Sequence, residues 1–360
     1  MSQRAFFPSK YIQGANIINE LPDIIKDFGS KPVIIASPSV KSKILPSYGE
    51  IILKKKIDII VFNGECTNTE IDRCLKIIND NHYDIVIAMG GGKTIDTGKI
   101  CADKSNLPVI VIPTIASTDA PCSACAVTYT KEGNFESVLY QKTNPTMVIV
   151  DTKVIANAPA RFLISGMGDA LATFFEAKSC LRSNAKNECN GHSTLTAFQI
   201  SKLCYDTLLK YGLLAKIANE NQIVTPALNN IIEANILLSG IGFESCGLAT
   251  AHAVHNGLTE LPETHKYYHG EKVAFGVLTG LHLNSEDKQT IDTVYEFCKQ
   301  IGLPTTFSEI GLKNISKDKL LKIATKTCSK EQSIHHEITI ITKEKVIDAL
   351  IMANAYGEKF

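Results

Sequence analysis

The chain has 360 residues, and its 37 lysine and arginine residues balance 37 aspartate and glutamate residues, so the formal net charge is zero. This balance argues against a nucleic-acid-binding protein or a basic membrane-surface protein, because both need an excess of cations. Hydrophobic residues make up 44% and charged residues 21% of the chain, which is close to the usual globular mix and excludes global disorder. The length predicts about two domains with a large buried core.

The sequence offers no signal for export or membrane insertion. It has no apolar run long enough for a transmembrane helix, and its first residues lack the apolar stretch of a secretory signal. The 11 cysteines are odd in number and irregularly spaced, a pattern typical of reduced thiols in the cytosol. We therefore expect a cytoplasmic protein without a membrane partner.

The first part of the chain alternates short apolar runs with amphipathic stretches. Five runs rich in β-branched residues occupy residues 33–36, 58–62, 85–89, 109–112 and 147–150. Continuous apolarity is typical of strands buried on both faces, and a helical pattern over residues 69–79 separates the second run from the third. This order predicts a parallel, doubly wound sheet. A less regular insert over residues 116–143 predicts a hairpin with its turn at residues 131–133.

After Pro159 the β-rich runs stop and long helical patterns begin. Pro159 and Pro226 both fit helix starts. The chain therefore divides into an α/β domain over residues 1–158 and an all-helical domain over residues 159–360, and a cleft between two such halves is a common site for a cofactor and a substrate. The helical patterns cover residues 160–181, 195–211, 226–243 and 271–284.

A glycine-rich loop follows the third apolar run. Gly90, Gly91 and Gly92 precede Lys93 and Thr94, where the predicted strand gives way to a helix. Glycines let the backbone approach a ligand closely, and the free N–H groups of a helix start favour phosphate. The loop lacks the first glycine of a P-loop and the last part of the G-x-G-x-x-G motif, so the pattern predicts a pyrophosphate site without naming the nucleotide. The alternative is a tight strand-to-helix turn.

Four histidines and one aspartate are candidate metal ligands. His252 and His255 lie three residues apart on one helical face, and His265 and His269 follow in a polar loop. Asp169 is a lone acid in an apolar helical stretch, where a buried carboxylate must be paired or bind a metal. Grouped histidines can ligate zinc, but capping or packing histidines and a salt bridge to Asp169 would explain the same pattern. The spacing alone leaves both interpretations open.

Polar residues follow the strand predicted at residues 109–112. The segment 114–121 includes Asp119, and polar groups at the carboxyl end of a strand lie where open α/β sheets bind ligands. Cys122 and Cys125 then form one C-x-x-C pair. A structural zinc ribbon needs a second pair, and a thioredoxin-like pair opens a helix directly after a strand, so we interpret these two residues as incidental thiols.

Together these motifs resemble the glycerol dehydrogenase family, within the group III alcohol dehydrogenases that contain iron or zinc. The resemblance extends from about residue 5 to about residue 355, and the motifs occur in the family's order. They occupy residues 90–97, 113–121, 144–145, 150–153, 168–173, 240–245, 251–257 and 269–276.

The resemblance implies an N-terminal dinucleotide-binding α/β domain and an all-helical C-terminal domain, an architecture shared with dehydroquinate synthases. It implies a cytoplasmic enzyme that oxidises glycerol and related vicinal diols to dihydroxyacetone and its analogues with NAD, assembled as a homo-oligomer and, by family, an octamer. Zinc would lie in the cleft on Asp169, His252 and His269. Iron-type relatives carry a further histidine at the position of Thr173, so the sequence favours zinc over iron.

The resemblance also implies roles for the other site residues. Asp119 would hold a substrate hydroxyl, and His255 would lie close to the nicotinamide without binding the metal, which makes these two the catalytic candidates. The pyrophosphate site and the rest of the cofactor groove would be formed by Gly91, Gly92, Lys93, Thr94, Asp96, Thr114, Ser117, Ser123, Cys125 and Tyr129.

One position departs from the family in a way that bears on the cofactor. Glycerol dehydrogenases commonly end the strand at residues 33–36 with an aspartate that holds the adenosine ribose, and this chain has Ser37 there. An acid accepts the ribose hydroxyls and repels a 2′-phosphate, whereas serine can hydrogen-bond without repelling it. We therefore expect Ser37 to contact the cofactor and NADP to be an alternative to NAD. Cys125 also stands where an aliphatic residue is expected.

Other functions stay open at this point. Glycerol-1-phosphate dehydrogenases and dehydroquinate synthases share the architecture, but a phosphorylated substrate needs a basic cluster, and the sequence shows none beside Asp119 or His255. The missing P-loop glycine argues against a phosphotransferase that uses the glycine loop. A metal-storing protein without turnover would retain zinc without binding NAD.

Overall fold

The computed structural model describes residues 2–48, 57–133 and 135–360. The main sheet in these residues has six strands, and every neighbouring pair is parallel. Two further strands form a separate antiparallel hairpin. The strands are β1 Tyr11–Gly14, β2 Pro32–Ala36, β3 Asp58–Val61, β4 Ile85–Gly90, β5 Val109–Pro113, β6 Cys125–Tyr129, β7 Phe135–Tyr140 and β8 Met147–Asp151. The order across the main sheet is β1-β8-β5-β4-β2-β3.

The five predicted strands are confirmed as β2, β3, β4, β5 and β8. Every residue of β2, β4, β5 and β8 is buried, as their continuous apolar sequences require. The sequence analysis missed β1, which is a half-buried edge strand beside β8, with Tyr11 opposite Val148. Its residues do not form a continuous apolar run, because an edge strand needs to bury less of its surface.

The helices of the first half flank this sheet. The helix predicted over residues 69–79 is confirmed as α2, Asn68–Asp80, and the Thr67 side chain caps its start by accepting a hydrogen bond from the Glu70 backbone N–H over 3.2 Å. The predicted hairpin is also confirmed, since the Gly133 N–H donates to the Thr130 carbonyl across the turn between β6 and β7. These helices are α1 Leu21–Ile24, α2 Asn68–Asp80, α3 Gly92–Ser105 and α4 Thr152–Ala156.

The described chain after α4 is mostly helical, which confirms the expected fold class. The helices are α5 Ala160–Ser183, α6 Leu195–Glu220, α7 Pro226–Glu233, α8 Ser239–Cys246, α9 Thr250–Leu258, α10 His269–Leu283, α11 Lys288–Ile301, α12 Lys317–Thr327 and α13 Lys343–Gly357. A wider π-helical turn, Ala234–Leu238, separates α7 from α8 where the sequence predicted one helix over residues 226–243. The helix expected at residues 195–211 runs on to Glu220.

Apolar side chains cover both faces of the sheet. One face packs on the N-terminal segment through Ile34, Ile87 and Ile112, and the other continues into the helical half, where Leu171 and Phe275 belong to the same core. In the described chain, no single helix combines the length and the apolarity needed to cross a membrane. One pair of helices, Pro226–Cys246 and Thr250–Leu258, has the required length and composition when the two are taken together, but the pair is bent by 101°.

Candidate active site

Three helices place the predicted metal ligands side by side. Asp169 lies in the middle of α5, His252 near the start of α9, and His269 at the first residue of α10. The Oδ1 atom of Asp169 lies 3.5 Å from Nε2 of His252 and 3.0 Å from Nε2 of His269. One ligand atom from each residue lies within 4.8 Å of the others, a spacing that fits a shared metal ion.

Two glycines allow these helices to approach so closely. A Cβ atom at Gly166 in α5 would overlap the carbonyl oxygen of Ala116, in the loop after β5. A Cβ atom at Gly270 in α10 would overlap the carbonyl oxygen of Ser165 in α5. Because neither glycine has a side chain, α5 contacts both the loop after β5 and the start of α10. This contact brings Asp169 against His269 and towards Asp119.

A buried glutamate fixes the orientation of His252. The Oε2 atom of Glu176 lies 2.7 Å from Nδ1 of His252, and its Oε1 atom accepts hydrogen bonds from the backbone N–H groups of His252 and Ala249. A carboxylate beside Nδ1 holds the ring proton there, so the lone pair of Nε2 faces Asp169. Glu176 follows Asp169 by seven residues on the same helix. The sequence analysis missed it, although two helical turns between two acids are a readable signal.

The donor set fits a divalent metal. Asp169 is 1% exposed, and its Oδ1 atom has no hydrogen-bond partner among the described residues, although two imidazoles flank it. Burial opposes ionisation of Asp169, but the positive charges that His269 and His252 carry when they are protonated hold its pKa well below its usual range. One carboxylate and two imidazoles leave an open coordination position, as catalytic zinc sites do. An orphaned buried oxygen between two ring nitrogens is what a bound cation would satisfy.

Asp119 lies beside this cluster in the loop after β5. Its backbone N–H donates to Oδ2 of Asp169 over 3.3 Å, and its own Oδ2 accepts from the Ser239 hydroxyl over 2.9 Å. Burial, followed by the charge of Asp169, raises the pKa of Asp119 well above its usual value. Thr173 lies 2.8 Å from the same Ser239 hydroxyl, so it supports Asp119 through Ser239 and is not one of the clustered ligands.

His255 continues the cluster on its other side. Its Nε2 atom lies 3.0 Å from Nδ1 of His269, and its Nδ1 atom lies 3.0 Å from the side-chain oxygen of Asn256. Asn256 donates its amide to Gln332, so its oxygen accepts the Nδ1 proton of His255. His255 Nε2 then accepts from His269, which leaves Nε2 of His269 facing Asp169. Burial first, and then His269 and Lys272, lower the pKa of His255 well below its usual value.

The remaining histidine of the polar loop takes no part in the cluster. His265 lies 2.9 Å from the backbone oxygen of Thr259 and is exposed. The helix that the sequence predicted from residue 271 begins two residues earlier, at His269. The candidate ligand His269 therefore lies at the start of a helix and not in the loop.

Lys272, on the first turn of the same helix, is a buried cation near His255 that the sequence analysis did not identify.

The glycine loop joins β4 to α3. β4 ends at Gly90, Gly91 is the N-cap of α3, and Gly92 is its first residue. A Cβ atom at Gly92 would meet only the Thr118 hydroxyl, at 3.6 Å, so the space above this residue is open. The first turn of α3 therefore presents backbone N–H groups to any anion that enters this space.

Lys93 stands at the mouth of this loop with two partners. Its Nζ atom lies 2.5 Å from Oε2 of Glu65 and 4.7 Å from the ring centroid of Tyr129. Its neighbour Thr94 is buried and packs against Gly90. The loop thus combines an exposed cation, an aromatic ring and a helix N-terminus.

Two of the predicted groove residues face the protein interior. Asp96 is buried, and it accepts from the Val127 N–H over 3.0 Å and pairs with Lys99 over 3.2 Å. Ser123 is 1% exposed, and its hydroxyl donates to the backbone oxygens of Ala120 and Cys125. The Lys99 ammonium in turn donates to the backbone oxygen of Ala120 over 2.9 Å, which ties the loop after Asp119 to the helix that begins at the glycine loop.

The other groove residues lie around the carboxyl ends of β2 and β5. Ser37 is half-buried at the end of β2, where its N–H donates to Met89, and the Thr114 N–H donates to Gly90. Ser117 is half-buried in the loop that leads to Asp119. All 11 cysteines are free thiols, and burial raises the pKa of both Cys122 and Cys125, which fits the interpretation of incidental thiols.

Comparison with known proteins identifies the family of this chain. A profile of the family described as iron-containing alcohol dehydrogenase matches residues 8–152. A glycerol dehydrogenase of Thermotoga maritima is 48% identical over 358 residues, which cover 99% of this chain and 98% of that protein. A glycerol dehydrogenase of Escherichia coli is 45% identical over 98% of this chain and 97% of that protein. The crystal structure of a probable glycerol dehydrogenase from Sinorhizobium meliloti superposes with a TM-score of 0.92 at 39% identity, over all of both chains.

The chain belongs to the glycerol dehydrogenase family. The resemblance inferred from the sequence motifs is thereby confirmed, as is the architecture of a parallel α/β half followed by helices. Glu176, Ser239, Asn256 and Lys272 surround the cluster in the structure, and each lies on a helix of the second half. No local spacing relates Ser239 to Asp119, because 120 residues separate them and only the folded chain joins them.

Proposed function

We propose that this protein is a zinc-dependent polyol dehydrogenase that oxidises glycerol and related vicinal diols with NAD, giving dihydroxyacetone from glycerol. The single observation that carries the proposal is the buried Oδ1 atom of Asp169, which has no hydrogen-bond partner in the described chain and lies between the Nε2 atoms of His252 and His269. The names of the relatives support the polyol substrate. NADP is kept as an alternative cofactor because of Ser37.

Zinc would be held by Asp169, His252 and His269. When bound, it would supply a Lewis acid that stabilises the alkoxide form of the substrate hydroxyl. Glu176 and the pair His255–Asn256 hold the two imidazoles with their Nε2 lone pairs towards Asp169, so the ligand set is arranged before any ion enters. We assign to His255 this positioning role beside the nicotinamide site.

Asp119 would hold the neighbouring hydroxyl of the diol. Its Oδ2 atom is occupied by Ser239, which leaves Oδ1 to accept a hydrogen bond from the substrate. A diol has two adjacent hydroxyls, so one can lie at the metal position while the other contacts Asp119. This two-point contact would favour vicinal diols over simple alcohols and would fix the carbon that loses hydride.

The dinucleotide would lie across the carboxyl ends of β2, β4 and β5. A bound nicotinamide ring would supply the hydride acceptor. The N-terminus of α3, with Gly91, Gly92 and Lys93, would hold the pyrophosphate, and Ser37 would hold the adenosine ribose. The cofactor would thus bind mainly to residues 1–158 and the metal to residues 159–360, with the reaction in the cleft between them.

The test is the initial rate of NAD reduction with glycerol, measured on zinc-loaded protein and on the same protein stripped by a chelator. We expect activity that disappears on stripping and returns with zinc. Absence of turnover with glycerol in zinc-loaded protein that binds NAD would overturn the proposal. Turnover of glycerol-1-phosphate but not of glycerol would point to the phosphorylated substrate of a related dehydrogenase.

A further inference from the structure

The cation at the mouth of the glycine loop already has an anionic partner. The Nζ atom of Lys93 lies 2.5 Å from Oε2 of Glu65, and the two side chains are 46% and 25% exposed. Lys93 is the residue to which the proposed function assigns the pyrophosphate, and a carboxylate at this distance satisfies the same ammonium. Glu65 and a bound pyrophosphate would therefore contact the same exposed cation.

Glu65 is held in place by the surrounding structure. Its Oε1 atom accepts from the Cys66 N–H over 3.2 Å, and the Cys66 side chain is buried. The Cys66 carbonyl accepts from the Tyr129 N–H over 2.9 Å, so the carboxylate and the aromatic ring that contact Lys93 belong to one connected unit. Lys93 has a long flexible side chain and half of its surface in water, so it is the partner that can move.

We propose that Glu65 competes with the dinucleotide pyrophosphate for Lys93 and so sets how tightly the cofactor is held, an inference that rests on the proposed function. An exposed ion pair is weak enough to exchange, and an incoming diphosphate offers Lys93 more negative charge than one carboxylate. Each binding event then draws Lys93 away from Glu65, and each release is helped by the return of Lys93 to Glu65. A dehydrogenase gains from this arrangement, because release of the reduced cofactor commonly limits turnover.

The test measures NADH dissociation constants by fluorescence on zinc-loaded, full-length protein. Glu65→Gln keeps the shape of the side chain and removes its charge, and we expect NADH to bind about fivefold to tenfold more tightly to this variant. In a Lys93→Met background the same change should alter the affinity less than twofold, because the shared cation is gone. Glu136→Gln is the matched control: this exposed glutamate on β7 accepts a hydrogen bond from the neutral amide of Asn68, and its variant should bind NADH like the wild type.

Adenosine provides a second control, since it lacks the pyrophosphate and its affinity should not respond to Glu65→Gln. An unchanged or weaker affinity for NADH in Glu65→Gln would overturn the inference and leave the proposed function standing. An equal gain in the wild-type and Lys93→Met backgrounds would also overturn it, since Glu65 would then act by direct repulsion and not through Lys93. Failure of the wild-type protein to bind NADH would overturn the proposed function itself, and this inference with it.

Discussion

The cluster of Asp169, His252 and His269 and the glycine loop are built by opposite means. Asp169 is 1% exposed, and each histidine beside it has a fixed partner on the ring nitrogen that faces away from Asp169. The glycine loop is open: a helix N-terminus faces free space above Gly92, and its cation, Lys93, is half exposed. The first region is built from side chains that three helices contribute around one buried carboxylate, and the second is built mainly from backbone.

The difference follows from what each region would have to do. A metal that stays bound needs ligands that are oriented before it arrives, and buried hydrogen bonds supply that order. A cofactor that enters and leaves in every cycle needs contacts that form and break quickly, and exposed groups supply those. The effects of substitutions in the two regions should therefore differ both in magnitude and in the property that changes.

The largest effect is expected for Asp169→Asn. The amide keeps the volume of the side chain but loses the anionic oxygen that faces both imidazoles, so kcat/KM with glycerol and NAD should fall at least about a thousandfold, or about 4 kcal/mol of transition-state stabilisation. The melting temperature of the metal-free protein should change little by comparison. Rates and zinc content measured on the same preparation check this, and near-normal turnover in a metal-replete variant would contradict the ligand assignment.

A smaller effect is expected for Glu176→Gln. The variant keeps a hydrogen-bond acceptor near Nδ1 of His252 but loses the charge that holds the ring proton, so zinc should bind about tenfold to a hundredfold more weakly. Competition with a chelator of known affinity measures this. Glu286→Gln is a matched control, because Glu286 lines the same small cavity but pairs with Lys178. Equal zinc affinities in the two variants would show that His252 needs no buried carboxylate.

Substitutions at two glycines of α3 should affect different properties, one the binding of the cofactor and the other the stability of the fold. Gly92→Ala adds a methyl group in the open space of the loop, so NADH affinity should fall about tenfold at an unchanged melting temperature, because the dinucleotide backbone approaches there. Gly98→Ala places a methyl group against the Ala88 side chain in β4, which should cost about 1–3 kcal/mol of stability. Calorimetry and thermal unfolding of both variants check the pair. Loss of stability in Gly92→Ala with full NADH affinity would contradict the assignment of the loop to cofactor binding.

The sequence predicted most of the sheet because buried parallel strands are continuous apolar runs, and β1 escaped because an edge strand is not. The helix α11 was not predicted, although Ile291, Val294, Phe297 and Ile301 repeat at helical spacing, so its signal was present. The local spacing of the site residues was less informative. Asp169 and His252 meet from different helices, and their shared role came from the family resemblance and not from periodicity.

The smallest effect is expected at Ser37, at the adenosine end of the open region. Its hydroxyl lies 3.1 Å from that of Ser39 and accepts from the Val40 N–H, so Ser37 itself presents no charge to a 2′-phosphate. We expect the wild-type protein to prefer NAD over NADP by less than a hundredfold in kcat/KM, which is about 2.7 kcal/mol. Ser37→Asp should raise that preference about fivefold to tenfold by accepting the ribose hydroxyls and repelling the phosphate.

Kinetics with both cofactors measure this ratio, and Ser42→Asp, five residues further along and exposed, is the control for a general effect of added charge. A wild-type preference above a hundredfold would mean that another group excludes the 2′-phosphate. Glu65 is the first residue to examine in that case, because it places a carboxylate beside Lys93 in the same open region. The double variant Ser37→Asp with Glu65→Gln would then show whether affinity and selectivity for the cofactor are set by separate acids or by one.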